Sequence, residues 1–416
     1  MLSFRPCSLF PVSSVPVLSI PVPLVPSPQS LFPQSLSPLV PPSLSPSPCY
    51  AFSVDHVARI GTLRRRITKA GLSGLLVTHL PDLRYLSGFT GSSAALAVTR
   101  RTARLFTDGR YKTQADTEVQ GAQVHIVGSS PAIAAVEWLA AQPSAQSAGF
   151  DAAWTTVAEL ARFKAALPSH LRRSFLSPLA APLVEPMRQL KDAEELALMS
   201  RAALVGCKLF DHILTVIRPG LPEIEIAAEL EYKARLFGAE GMSFDTIVAS
   251  GLRSALPHGR ATSTPLPRRG FLTLDFGIIL GGYCSDMTRT VHLGSARVRE
   301  RETYQAVLES QQAGVQAVQP GALCSEVDAA ARGVLRRAGL ADAVSHSTGH
   351  GVGLEIHENP RVGAGQKTRL APGMIVTVEP GVYFEGEFGI RIEDMVAVTE
   401  SGGQILTPSP KALIEL

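Results

Sequence analysis

Two pairs of acids in this 416-residue chain are spaced as cross-strand partners would be. Asp275 sits in Leu272-Thr273-Leu274-Asp275-Phe276-Gly277, and Asp286 follows eleven residues later. A hairpin turning at Leu280-Gly281 sets 275 directly opposite 286, with Cβ atoms about 4.5–5.5 Å apart. Glu379 and Glu393 repeat the pattern about a turn centred on Gly386, with apolar Ile375, Val376 and Val378 before the first acid and Ile390 and Ile392 beside the second. Carboxylates so placed repel one another unless protonated or neutralised by cations, and burying an unpaired one is costly. Arg391, two residues before Glu393, points to the same face and can hydrogen-bond the acids. Histidines complete the set: His346 and His350 in Ser345-His346-Ser347-Thr348-Gly349-His350-Gly351, His357 seven residues on, and His258 in Leu256-Pro257-His258-Gly259. Any one of these residues alone is better explained as a packed histidine or a rim acid. Together, four carboxylates and a Gly-flanked imidazole read as a site for two divalent cations, of the Mn2+ kind rather than a thiolate-type zinc site. Such a pair holds and acidifies a water and polarises a substrate carbonyl. The chemistry expected is hydrolysis, with amide and phosphoester substrates both open.

The surrounding elements must bring these residues together. Asp192 is placed to cap a helix, with Glu195 at the capping-box position, and the helix runs to Pro219-Gly220. A second helix follows from Pro222, then a hairpin-like stretch over 271–292. The same order recurs: a helix over about 299–318, the stop Pro320-Gly321, a helix over 325–337, and strands over 374–397. A period of about 100 residues suggests two related halves, each ending in one acid pair. Upstream, Val57, Ile60, Leu63 and Ile67 recur at helical spacing, and Gly74–Val77 reads as a buried strand. Strands at 96–99 and 104–107 pair around Arg100 and Arg101, a strand spans Val124–Val127, and a helix spans Thr156–Ala166. An α/β domain over 53–180 is expected, then a proline-marked linker over 181–191 and a second domain over 192–416.

Residues 1–52 are expected to be a disordered extension or the product of a wrongly assigned start. The first fifty residues hold 13 of the chain's 31 prolines and 12 serines, with Arg5 as their only charge. Proline at that density blocks both helix and sheet and interrupts every apolar run long enough for a secretory signal. The balance of 39 basic against 36 acidic residues argues against a nucleic-acid binder. No apolar run reaches the 18 residues of a membrane span. Five scattered cysteines without a Cys-x-x-Cys spacing point to a reducing, cytoplasmic setting.

At these residues the chain resembles the creatinase/aminopeptidase family, and within it the Xaa-Pro peptidases. Asp275, Asp286, His350, Glu379 and Glu393 are similar to that family's five metal ligands in kind, order and approximate spacing. Val248-Ala249-Ser250-Gly251, Val378-Glu379-Pro380-Gly381, Arg391-Ile392-Glu393-Asp394 and, upstream, Tyr85-Leu86-Ser87-Gly88-Phe89 and Thr107-Asp108-Gly109-Arg110-Tyr111 also resemble its motifs. The likeness spans roughly 55–410. It implies an α/β (α+β) fold, a creatinase-like N-terminal domain before a pita-bread domain of two pseudo-symmetric halves, and a homodimer or higher homo-oligomer. It implies two divalent ions, Mn2+ first and Co2+ or Zn2+ as alternatives, bridged by Asp286 and Glu393. Asp275 holds one ion, and His350 with Glu379 the other. By the same resemblance His258 and His357 bind substrate and steady the tetrahedral intermediate, His346 lies near the proline end, Arg391 supports the carboxylates, and Glu379 shuttles the proton. The expected function is an Xaa-Pro aminopeptidase acting on peptides with proline in second position, independent of nucleic acid or membrane. A dipeptide-restricted prolidase is the alternative. A catalytically inactive pita-bread binding module is the rival from another class, although it would have lost ligands that this chain keeps.

Overall fold

The computed structural model describes residues 54–143 and 146–416, so the expectation for residues 1–52 lies outside the described residues. The first part of the fold runs α1 (His56–Lys69), β1 (Gly74–Val77), α2 (Leu80–Ser87), β2 (Ala94–Thr99), β3 (Ala103–Asp108), α3 (Lys112–Glu118), β4 (Gln123–Val127), α4 (Pro131–Ala140), β5 (Ala148–Phe150), α5 (Val157–Ala166), β6 (Leu176–Pro178) and α6 (Glu185–Arg188). Its six strands form one mixed sheet in the order β4-β3-β2-β1-β5-β6. Asp55 caps α1, accepting from the Ala58 amide at 2.8 Å, and Ile60, Leu63 and Ile67 bury the helix on the sheet. Val57, expected on that face, is 63% exposed because burial begins only at Arg59, in the second half of the first turn.

The rest runs α7 (Ala193–Leu214), α8 (Glu223–Leu236), β7 (Gly241–Met242), β8 (Ile247–Ser250), β9 (Gly270–Phe276), β10 (Ile278–Leu280), β11 (Tyr283–Cys284), β12 (Met287–Leu293), α9 (Val298–Ala317), α10 (Cys324–Arg337), β13 (Gly349–Gly351), β14 (Glu358–Val362), β15 (Ile375–Val378), β16 (Gly381–Phe384), β17 (Phe388–Arg391), β18 (Asp394–Thr399) and β19 (Gly402–Ile405). Asp192 caps α7 through the amides of Glu194 and Glu195, and the Glu195 carboxylate accepts from the Asp192 amide in return. Phe210, Ile226 and Leu230 of α7 and α8 pack on Leu272, Leu274 and Phe276 of β9. Val327 of α10 packs in the same way on Val376 and Val378 of β15, together with Val396 of β18. Each such side chain contributes about 1.5–3 kcal/mol by leaving water.

The two halves share more than element order. Gly220 and Gly321 both take the left-handed conformation, at φ 87° and 85°. Their amides donate to the carbonyls of Leu266 and Leu370, at 2.9 and 2.7 Å. The Leu266 and Leu370 amides return bonds to Leu221 and Ala322. Glu223 and Cys324, which open α8 and α10, donate to Thr264 and Thr368. One bonding pattern thus ties each helix pair to the strands beyond it. Among the described residues no helix is long and apolar enough to cross a membrane, and Cys207, Cys284 and Cys324 are buried free thiols.

Candidate metal centre

The two acid-bearing hairpins have different registers. In the second, Val378 pairs with Asp394 and Gly381 with Arg391, so Glu379 and Glu393 lie opposite each other in the gap between the two ladders. Gly386, at φ 72°, turns the chain at the expected place. The first hairpin is displaced by two residues from the expected register. Its turn is Gly281-Gly282, at φ 58° and 81°, the residue pair that a two-residue turn with two positive φ angles requires. Asp275 therefore pairs with Thr288, and Asp286 is its diagonal neighbour on the same face rather than its direct partner.

Both hairpins open into one cavity of about 820 Å³, lined by Asp275, Asp286, His350, Glu379, Arg391 and Glu393. His258, His346 and His357 line it too, so the structure brings together every histidine and acid singled out from the sequence. Ligand atoms of Asp286, His350 and Glu393 lie within 4.8 Å of one another. His350 Nε2 is 3.6 Å from Asp286 and 3.5 Å from Glu379. Its Nδ1 donates to the Gly351 carbonyl at 3.0 Å, which leaves the Nε2 lone pair aimed at the acids. The flanking glycines are a steric requirement. A Cβ on Gly349 would stand 2.0 Å from the Thr377 carbonyl oxygen, and one on Gly351 2.4 Å from that of Asn359.

Burial pushes the Asp286 and Glu393 carboxyls well above their usual range, and the neighbouring carboxylates push them further. Burial likewise carries Glu379 up to about 8, against the pull of Arg391. His350 is pushed down to about 4, chiefly by burial. Asp275 Oδ1 is buried without any hydrogen-bond partner. An orphaned carboxylate oxygen, four crowded acids and a neutral imidazole are the donor set that divalent cations satisfy, so these residues fit a metal pair.

Around the acids lies a shell of donors. Arg391 reaches Asp275 Oδ2 at 2.6 Å, Thr288 at 3.1 Å and the Pro257 carbonyl at 3.0 Å. Thr288 donates to Glu393 at 2.7 Å. Tyr383 accepts from Arg391 at 2.6 Å and bonds His346 Nε2 at 2.9 Å. His346 is pushed down to about 4 by burial and then by Arg391. His357 stands edge-on to His350, with ring centroids 4.4 Å apart, and its pKa is lowered by burial and then by Arg361. Sequence reasoning passed over Tyr383, Thr288 and Arg361. Thr288 was legible as the second residue after Asp286, on the same strand face. Tyr383 and Arg361 carried no local signal.

Residues 197–400 match the family described as Metallopeptidase family M24, and residues 59–189 match the Creatinase/Prolidase N-terminal domain. The uncharacterized peptidase YqhT of Bacillus subtilis is 39% identical over 358 residues, 86% of this chain and 100% of that protein. A solved Xaa-Pro dipeptidase from Bacillus anthracis is similar with a TM-score of 0.82 at 39% identity, over 87% of this chain and 100% of that one. A solved X-Pro aminopeptidase from Thermotoga maritima gives 0.77 at 33% identity, over 85% and 98%.

Proposed function

Since the chain belongs to metallopeptidase family M24, with a creatinase-type N-terminal domain before a pita-bread domain, we propose that this Xaa-Pro peptidase is an aminopeptidase, releasing an N-terminal residue from a following proline. The observation that carries the reading is the convergence of Asp275, Asp286, His350, Glu379 and Glu393 on one cavity. We assign these five as the ligands of two divalent ions, Mn2+ first. When bound, the pair supplies an activated water and polarises the scissile carbonyl.

The chain's own residues do the rest. Asp275 is held by Arg391, and Glu393 by Thr288, so the acids keep their orientation without thermal search. Glu379, which lines the cavity beside His350, is assigned to pass a proton to the departing proline nitrogen. His357 is neutral in this setting and can donate an N–H to the oxygen that gains charge in the transition state. His258 lines the same cavity and is assigned to substrate binding beside it. His346, joined to Arg391 through Tyr383, is assigned to the proline end.

The cavity volume, in the upper part of the 300–1,000 Å³ range of small-molecule sites, supports peptides longer than two residues. A dipeptidase is the second reading, favoured by the Bacillus anthracis relative and by Arg361. That guanidinium lines the cavity beside His357 and has no acid partner among the described residues, so it can take a dipeptide's free carboxylate. Hydrolysis of Ala-Pro-Ala and Ala-Pro side by side, with Mn2+ and with EDTA, tests both. Metal-dependent cleavage of the tripeptide is expected. Cleavage of the dipeptide alone, lost on Arg361→Met, establishes the second reading instead. A homodimer, a cytoplasmic setting and the division at residues 181–191 belong to the same proposal, although the N-terminal-domain match runs on to residue 189 and the peptidase match begins at 197.

A further inference from the structure

A buried charge cluster joins the N-terminal domain to the loop that carries His357. Arg188, at the end of α6, has only 4% of its side chain exposed, and its guanidinium reaches three carboxylates. Nη1 donates to Asp82 of α2 at 2.7 Å, and Nη2 to Glu355 at 2.7 Å and to Glu358. Lys191 reaches Glu358 at 3.4 Å, and His79 lies 3.3 Å from Glu355 and 3.5 Å from Asp82. The His79 ring is stacked on Trp154 at 3.7 Å. Three acids thus face Arg188, Lys191 and one imidazole inside the protein, where each unpaired charge would be costly and where burial lowers the Lys191 pKa.

The cluster grips the 353–358 loop on both sides of His357. Glu355 is two residues before it and Glu358 one after, and Glu358 Oε1 also accepts from the Glu355 amide at 3.1 Å. The Gly353 carbonyl accepts from the Cys284 amide at 2.8 Å. Gly353 has no room for a side chain, since a Cβ there would stand 2.4 Å from Glu358 Oε2. His357 itself is exposed in the cavity and makes none of the hydrogen bonds described above. Its edge-on aim at His350 is set by the backbone on either side, and that backbone is tied to Arg188.

We propose that Arg188 is a positioning residue, which fixes the His357 loop across the domain boundary so that His357 meets the reacting carbonyl. The proposal rests on the substrate-facing role assigned to His357 above. Displacing an aligned group by about 1 Å costs on the order of 100-fold. Lysine keeps the charge of Arg188 but cannot fork to three carboxylates. A second interdomain clamp serves as the control. Arg59 of α1 pairs with Asp192 at 2.5 Å and Glu195 at 2.9 Å, and Glu195 accepts from Tyr283 at 2.5 Å. That clamp holds α7 and β11 directly, and reaches the His357 loop only through the single Cys284–Gly353 backbone bond at its start.

The test is a double-mutant cycle on the full-length protein saturated with Mn2+, read as kcat and KM on Ala-Pro-Ala, with bound metal measured in every variant. Arg188→Lys is expected to lower kcat about 10–100-fold with KM and metal content little changed. In a His357→Ala background the same substitution should cost less than about threefold, whereas Arg59→Lys should have the same effect in both backgrounds. A full loss from Arg188→Lys in the His357→Ala background, a fall in bound metal, or equal coupling from Arg59→Lys overturns the proposal. If His357→Ala alone leaves kcat unchanged, the role of His357 fails first and the positioning role fails with it. Should Arg188→Lys not fold, Glu355→Gln, at the 28%-exposed edge of the cluster, carries the same cycle with the same criteria.

Discussion

The metal-free protein should lose stability as the pH rises from about 6.5 to 8, and saturating Mn2+ should abolish that loss. The Glu379 carboxyl sits at about 8 in the folded chain, against an ordinary value of 4.5, because burial outweighs the attraction of Arg391. Asp286 and Glu393 are raised as well, by burial and then by neighbouring carboxylates. A folded-state pKa above the unfolded value means that the native state binds more protons in the interval between them. Stability is then intact below about 4.5 and falls as the pH climbs through the folded value. Two histidines oppose this at lower pH. His346 and His350, pushed down to about 4 by burial, add stability as the pH rises from about 4 to 6.5 and nothing beyond. Above about 6.5 the carboxylates are joined in the same direction by His79, where burial is outweighed by Asp82 and Glu355 and the pKa is raised. At about 1.4 kcal/mol per pH unit, Glu379 by itself removes about 2 kcal/mol between pH 6.5 and 8. Urea unfolding followed by circular dichroism at pH 6.5, 7, 7.5 and 8 reads the effect directly. In EDTA the unfolding free energy should fall monotonically, and in Mn2+ it should stay level because cations take the place of the protons. Glu379→Gln should flatten part of the EDTA slope. An EDTA series that is flat or rises across this window refutes the idea that these buried acids are crowded enough to need cations.

Thr288→Val removes the hydroxyl that donates to Glu393 and accepts from Arg391, and should lower metal affinity or kcat roughly 10–100-fold with little change in fold, as judged by metal titration and circular dichroism. Gly351→Ala forces a Cβ against the Asn359 carbonyl and should cost about 1–3 kcal/mol in urea unfolding while lowering metal affinity, since it moves His350. Arg391→Met leaves Asp275 without its guanidinium and should destabilise the metal-free protein by about 3–5 kcal/mol, measured as a shift in unfolding free energy, with a smaller loss when Mn2+ is bound.

Much of the site was legible because strand geometry is periodic. The apolar residues before Glu379 and around Glu393, with Gly386 midway, fixed a hairpin whose register the structure reproduces. The first hairpin was harder, since two adjacent glycines compete for the turn and a one-residue shift of its centre slides the ladder by two. Side-chain parity survived that slip, which is why Asp275 and Asp286 still share a face. The repeated Pro-Gly stops marked the two halves, and their matched backbone bonds at Gly220 and Gly321 explain why the motif recurs. Contacts made only by tertiary folding left no local trace. Arg188 lay in a stretch that its prolines marked as linker, yet its guanidinium reaches α2, 106 positions back at Asp82, and the 353–358 loop, 170 positions on at Glu358. Tyr383 likewise gave no sign that its hydroxyl joins Arg391 to His346.

The proposed metal pair rests on four acids from two related hairpins and on His350 of β13. Equilibrium dialysis of Mn2+ against the native chain and Asp286→Asn tests it most directly, with peptide hydrolysis followed on the same samples. The account predicts about two ions per native chain, at most one in the variant, and a loss of at least about 100-fold in cleavage of Ala-Pro-Ala. Native binding of no ion, or an Asp286→Asn chain that keeps both its metal and its activity, contradicts it.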